Sequence, residues 1–309
     1  MTDPSIKDQI AAYWSQHPQT YAIEHGGTVF HQADGTERVV AKNSPEFFAA
    51  VDAVQRRWFR TLETTAGPFG RIFDYERYRG RQVLEVGCGQ GGMAQLWAER
   101  GANVTAVDLN PDAIETTRTR FTLAQLPGRI ELADANVLQF PNASFDYCYS
   151  WGVLHHSPDL DRSIAELMRV LKPGGGFGVM LYHRESLYYR YRVRYYEGFV
   201  HAERRNLPSE LALASRYTDG DRMEGNPHTW PVTRAEMHRL FSRYSSDLSI
   251  RTEGLDLGGA GEDGVLTEIM PGVAKRFPAW LVKPLARRWG WLLWMSGAKS
   301  AFRSSPGTA

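Results

Sequence analysis

The stretch Val83 Leu84 Glu85 Val86 Gly87 Cys88 Gly89 Gln90 Gly91 Gly92 reads as a β-strand running into a glycine-rich turn and then a helix. Glycines allow the tight turn and let a ligand approach the backbone, while the helix N-terminus favours polar or anionic groups. Gly87, Gly89 and Gly92 fit the spacing of dinucleotide-binding loops, and Gly87, Gly89 and Gly91 fit the tighter spacing of nucleoside-binding ones. Asp108 closes the next apolar run, where a ribose-binding acid belongs in either case. The loop alone leaves a nicotinamide enzyme open.

Outward from this loop, residues 80–182 alternate short apolar runs with helical patterns, as parallel βαβ units do. The runs are Gln82 to Val86, Asn103 to Val107, Ile130 to Leu132, Phe145 to Ser150 and Gly176 to Leu181. Gly92 to Arg100, Pro111 to Leu123 and Asp159 to Leu171 supply the crossovers, and Lys172 Pro173 Gly174 Gly175 punctuates the last of them. The expected fold class is α/β, a doubly wound Rossmann-like sheet. Residues 1–79 read as a helical N-terminal cover, with a hairpin marked by Gly26 Gly27 and Asp34 Gly35. After Ser44 Pro45 Glu46, residues Phe47, Phe48, Val51, Val54, Trp58 and Leu62 recur on one helical face. Residues 183–233 break the alternation after the fifth strand with an aromatic, arginine-rich stretch and a polar loop, Thr218 to Pro231, and read as an insertion. Residues 234–309 complete the sheet, with a helix over Thr233 to Tyr244, a strand over Leu248 to Thr252, a glycine-rich loop at Gly254 to Gly264 and a basic, Trp-rich tail.

The 309 residues carry 36 Lys and Arg against 35 Asp and Glu and are 42% hydrophobic, which suits a globular chain with a sizeable core and excludes collagen-like, disordered and disulfide-scaffold classes. Cys88 and Cys148 form no framework of bridges or zinc ligands, so a reducing cytoplasm is expected. No run approaches the roughly 18 apolar residues of a spanning helix, and Met1 to Lys7 lacks the regions of a signal peptide. Neither secretion nor integral membrane association is expected. After Glu268 the final 41 residues carry +7, and with Trp280, Trp289, Trp291 and Trp294 this tail reads either as a packed helix followed by the closing strand or as a segment in weak peripheral contact with a membrane surface.

Further features separate the two ligand readings. Glu85 stands two residues before the first glycine, Asp134 Ala135 follows the third strand, and the fourth strand and its exit read Phe145 Asp146 Tyr147 Cys148 Tyr149 Ser150 Trp151 Gly152 Val153 Leu154 His155 His156. With Arg169 Val170 Leu171 Lys172 Pro173 Gly174 Gly175, these resemble the class I S-adenosylmethionine-dependent methyltransferases. The resemblance is close over residues 80–182 and loose at the flanks, where Asn226 Pro227 and Gly290 Trp291 Leu292 are similar to small-molecule members.

The resemblance implies seven strands, the last antiparallel, with S-adenosyl-L-methionine across the C-terminal ends of the first ones and a small-molecule methyl acceptor beside it. It implies that Glu85, Gly87, Cys88, Gly89 and Gly91 surround the methionine moiety and that Asp108 accepts from the ribose hydroxyls. Leu109 would pack on the adenine, Asp134 would bind its amino group, Ala135 would present a backbone N–H, and Ser150 and Trp151 would border the methionine end and the acceptor. Glu85 and the Asp134 Ala135 pair argue against an NAD-dependent oxidoreductase; a cofactor-binding partner protein without catalysis is the other alternative.

Methyl transfer is an in-line attack on a sulfonium carbon, so the protein chiefly places the nucleophile and excludes water; a base matters only when the acceptor must lose a proton. The candidate bases are His155, His156, Tyr182 and His183 at strand ends, with His155 preferred. His156 also takes the place of a metal-binding histidine of quinone-type O-methyltransferases, but Gly152 and His155 stand where carboxylates are expected, and no catalytic metal is expected. Tyr13 and Trp14 would cover the cofactor as a lid, as the N-terminal helix of related enzymes often does, or else simply pack on the sheet. Tyr188, Tyr191, Tyr195 and Phe199 share one helical face with Arg190, Arg192 and Arg194 between them. Tyr188, Tyr191, Arg194 and Tyr195 are expected either to wall the acceptor pocket by stacking, cation–π attraction or ion pairing, or to belong to a core-facing helix with a solvated basic side. At a net charge of +1, no nucleic-acid partner is expected.

Overall fold

A computed structural model describes residues 4–23, 26–32, 34–207, 209–219, 225–253 and 287–301. The N-terminal cover consists of α1 (Pro4–Gln16), the antiparallel hairpin β1 (Val29–His31) and β2 (Glu37–Val39), and α2 (Pro45–Trp58). Ser44 caps α2 by accepting from the Phe47 N–H at 3.1 Å, and Pro45 occupies the first turn, where its missing N–H costs nothing. The helix buries Phe47, Phe48, Val51 and Val54 against Phe30 and Val40. Trp58, expected on the same face, is 46% exposed, because the helix ends there at the rim of a cavity. Arg120 of the core, 2% exposed, docks this cover by a two-pronged ion pair with Asp52 at 2.8 and 3.1 Å.

The core alternates β3 (Gln82–Val86), α3 (Gly92–Glu99), β4 (Asn103–Asp108), α4 (Pro111–Leu123), β5 (Arg129–Leu132), β6 (Phe145–Trp151), α5 (Leu160–Val170) and β7 (Leu171–Tyr182). It continues through α6 (Glu210–Tyr217), α7 (Arg234–Ser242), β8 (Leu248–Glu253) and β9 (Leu292–Ala298). Seven strands form one sheet in the order β5-β4-β3-β6-β7-β9-β8, with β9 antiparallel to both neighbours. The order reverses between β3 and β6, which leaves a crevice at their C-terminal ends.

Both faces of the sheet are covered. On β6, Tyr147 and Tyr149 pack with Trp97 of α3, while Cys148 between them joins Leu167 and Met168 of α5, the alternation a strand imposes. Each large apolar side chain buried this way contributes roughly 1.5–3 kcal/mol. Gly178 on β7 leaves room for the Trp294 ring of β9, which a Cβ there would overlap. Strand β7 starts earlier than the sequence suggests, because Leu171 already pairs with Phe145 before a register shift lets Lys172 to Gly175 bulge out and pairing resume at Gly176 and Tyr147.

Tyr188–Val200 winds as a π-helix rather than the α-helix assumed from the sequence. Its buried side is Tyr189, Arg192, Val193 and Glu197, leaving Tyr195 and Phe199 50% and 74% exposed, so the 3.6-residue period selects the wrong face. Gly254 to Gly264 and the Trp280 part of the tail lie outside the described residues. Within the described tail, Lys299 donates to the carbonyls of Met168 and Leu171 at 2.6 and 2.8 Å, so this charge closes the end of α5. No helix among the described residues is long and apolar enough to cross a membrane.

Candidate active site

The glycine turn between β3 and α3 is held to β4 by its own backbone. The N–H groups of Gly87 and Cys88 donate to Val107 O at 2.7 and 3.1 Å, and Asp108 accepts from the N–H groups of Gly89 and Asn110, both at 2.9 Å. Asp108 therefore shapes the loop, while Asn110 caps α4 by accepting from Asp112. Gly87, at φ +84°, requires glycine twice over, since a Cβ would also overlap Val153.

A cavity of about 820 Å³ opens on this loop and is lined by Glu85, Gly87, Cys88, Gly89, Asp108, Leu109, Asp134 and Ala135. Two observations fit the methionine end of S-adenosylmethionine. Glu85 is 2% exposed with an Oε2 that finds no hydrogen-bond partner among the described residues, and a Cβ on Gly89 would meet nothing within 4 Å, leaving its backbone open to a ligand. Burial pushes the Glu85 carboxyl up to about 8, so it is largely protonated at neutral pH until a cation faces it. Asp108 is also raised by burial, against the lowering effect of its bonds to Gly89 and Asn110. At the far rim Asp134 accepts from Asn136 N at 2.8 Å and pairs with Lys7 of α1 at 2.6 Å.

The other end of the cavity is aromatic: Trp14, Tyr21, Trp58, Phe59, Trp151, Tyr182, Tyr188 and Trp291 line it, together with His156 and Asp219. Tyr182 donates to Asp219 Oδ1 at 2.7 Å, and His156 Nε2 stands 3.4 Å from Asp219 Oδ2. Burial lowers His156 to about 4, so its ring is neutral near pH 7. Helix α1 crosses over this end: Trp14 meets the His156 ring edge-on at 5.0 Å, Tyr13 donates to Asp219 O at 3.2 Å, and Ser15 donates to Asn110 at 2.6 Å.

Several sequence expectations land elsewhere. His155, the preferred base, is fully buried behind the cavity wall, its ring 3.9 Å from that of Tyr182, and burial holds it well below the usual imidazole range; His156 lines the cavity instead. His183 is buried with Nδ1 donating to Gly290 O at 2.9 Å, away from the cavity. Ser150 spends its hydroxyl on Val86 O at 2.8 Å, and Gly91 packs on Thr117 as the residue preceding α3. Tyr191, Arg194 and Tyr195 do not line the cavity; Arg194 pairs with Glu210 at 3.1 Å, and Tyr195 points outward for the helical reason above. Tyr13 packs edge-on against Trp14 and donates to Asp219 O rather than lining the cavity itself. The sequence reading missed Tyr21, Trp58, Phe59 and Asp219. Of these, only Asp219 had a local signal, an acid within the polar loop after α6.

Residues 84–179 match the family model described as a methyltransferase domain. The chain is 40% identical over 96 residues to malonyl-[acyl-carrier protein] O-methyltransferase of Serratia marcescens, covering 31% of this chain and 36% of the relative. It is 29% identical over 206 residues to 24-methylenesterol C-methyltransferase 2 of Oryza sativa subsp. japonica, covering 61% and 54% respectively. The chain thus spans between about a third and about half of the length of these relatives. In fold it is similar to the PH0226 protein of Pyrococcus horikoshii OT3, with a TM-score of 0.50 and 16% identity over 84% of this chain and 94% of that one. The loop, the sheet order and the family match together identify the core of this chain as a class I S-adenosylmethionine-dependent methyltransferase domain.

Proposed function

We propose that this protein transfers a methyl group from S-adenosylmethionine to a small, largely apolar acceptor. The observation that carries this reading is one continuous cavity joining the set Glu85, Gly89, Asp108 and Asp134 to an aromatic wall that holds His156 and Asp219. When bound, S-adenosylmethionine supplies an electrophilic methyl carbon. Glu85 would ionise against its ammonium group, Asp108 would accept from the ribose, and the adenine amino group would take the Asp134 position where Lys7 now sits. Helix α1, with Trp14 lining the cavity, would cover the bound cofactor and help exclude water.

Residues 1–79 and 183–233 together make the acceptor wall, the first through Trp14, Tyr21 and Trp58, the second through Tyr188 and Asp219. Flat or greasy molecules suit that wall, and the acyl and sterol acceptors named for the two relatives point the same way. Two buried free cysteines favour a reducing, cytoplasmic setting. Neither a nicotinamide enzyme nor a partner protein without catalysis gains support from the site. Incubation with methyl-labelled S-adenosylmethionine and a panel of phenols, quinols, fatty acids and sterols should label at least one apolar acceptor. Cofactor binding without transfer to any of them would count against catalysis on this class.

A further inference from the structure

His156 sits in a constrained hydrogen-bond environment. Its Nδ1 lies 3.0 Å from the carbonyl of His228, which can only accept, and 3.0 Å from Thr229 Oγ1, whose own hydrogen goes to Asn226 Oδ1 at 2.7 Å. Nδ1 must therefore carry the proton, and in the neutral ring Nε2 is a bare acceptor. That bare nitrogen faces a carboxylate oxygen of Asp219 at 3.4 Å. Beside them His155 is fully buried, and neither of its ring nitrogens has a partner among the described residues. Acceptors turned toward one another in a low-dielectric interior repel unless something electropositive lies between them.

We propose that His155, His156 and Asp219 hold a single divalent transition-metal ion, of the zinc class, at the acceptor end of the cavity. One ligand atom from each lies within 4.8 Å of the other two. Donors of a tetrahedral zinc site stand ~3.3 Å apart given bonds of ~2.0–2.1 Å, so the His156–Asp219 pair is already spaced for it and the His155 ring has to turn inward. The outer shell is in place: His228 O and Thr229 fix the His156 tautomer, and Tyr182 holds the second oxygen of Asp219. Because His156 and Asp219 line the cavity, the open coordination position faces the acceptor and would take an oxygen of it, a hydroxyl, enol or carboxylate, lowering the proton affinity of that oxygen. This inference deepens the proposed function and rests on it only for the identity of the fourth ligand.

The test is metal binding, read without cofactor or acceptor. Chelator-treated protein comprising residues 1–309 is titrated with Zn²⁺, and with Co²⁺ for its visible spectrum, while S-adenosylhomocysteine binding is measured separately to report the folded cofactor site. The wild type should take up one ion per chain with the absorption of a four- or five-coordinate Co²⁺ site. His156→Ala and Asp219→Asn should each weaken that binding by about 100-fold or more, and Thr229→Val by ~10-fold, with S-adenosylhomocysteine affinity kept. No stoichiometric metal uptake by a wild type that binds S-adenosylhomocysteine overturns the metal site and leaves the proposed function standing. Uptake unchanged in both ligand variants overturns the assignment of the ligands. A protein that binds metal but no S-adenosylhomocysteine supports the site and sinks the functional reading.

Discussion

The two ends of the cavity are made from different materials. At the end on the glycine turn the cavity wall is the backbone of one continuous turn plus carboxylates near the ends of adjacent parallel strands, within residues 85–89, 108–109 and 134–135. At the acceptor end Trp14, Trp58, His156, Tyr182, Asp219 and Trp291 come from widely separated places in the chain and meet only because α1, α2 and the loop after α6 pack over the sheet. The first end is a local property of sequence, whereas the second is a property of packing. Binding and chemistry should therefore separate under mutation.

The largest separation is expected at His156. His156→Ala should cut turnover by about 10²–10⁴-fold, whether the side chain handles a proton or helps hold the acceptor, while the S-adenosylhomocysteine Kd from calorimetry stays within about twofold. A parallel loss of cofactor affinity would mean the two ends are not independent. Asp108→Ala attacks the opposite end: losing two loop N–H bonds and the ribose acceptor, about 2–3 kcal/mol, corresponds to a Kd roughly 30–150-fold weaker. Glu85 gives the cofactor end a pH signature. Its carboxyl, near 8 in the free protein, is protonated below that pH, and a cationic ligand stabilises the ionised form, so binding releases a proton. Affinity should rise with pH by up to about tenfold per unit below 8 and level off above it, and Glu85→Gln should flatten the slope measured by calorimetry at several pH values. The smallest effect is expected at Tyr195→Ala: an exposed side chain outside the cavity should leave Kd and kcat within about twofold. A large kcat loss there would restore the π-helix face to the acceptor wall.

This contrast also explains what could be read from the chain. Strand β3, the glycine turn and Asp108 follow from a short apolar run buried on both faces and from the backbone conformations that only glycine adopts easily, both local effects. The helices Pro111–Leu123 and Pro45–Trp58 were legible through their caps and proline starts. Residues 188–200 misled because the expected period presumes α geometry, and the π-helix turns a different side inward. His155 and His156 are adjacent in sequence and chemically identical; only the three-dimensional placement of Tyr182 and Asp219 sends one behind the wall and the other into the cavity. Tyr21, Trp58 and Phe59 carry no motif, since an aromatic residue in a cover looks the same whether it meets the core or a ligand.

The central claim, that the glycine turn and its carboxylates hold an adenosyl cofactor, is tested most directly by calorimetry with S-adenosylmethionine, S-adenosylhomocysteine and NADH on the wild type and Asp108→Ala. The account predicts binding of both adenosyl ligands with Kd of ~1–100 μM, the range common for enzyme ligands, weakened in the variant and absent for NADH. Binding of NADH alone would contradict it.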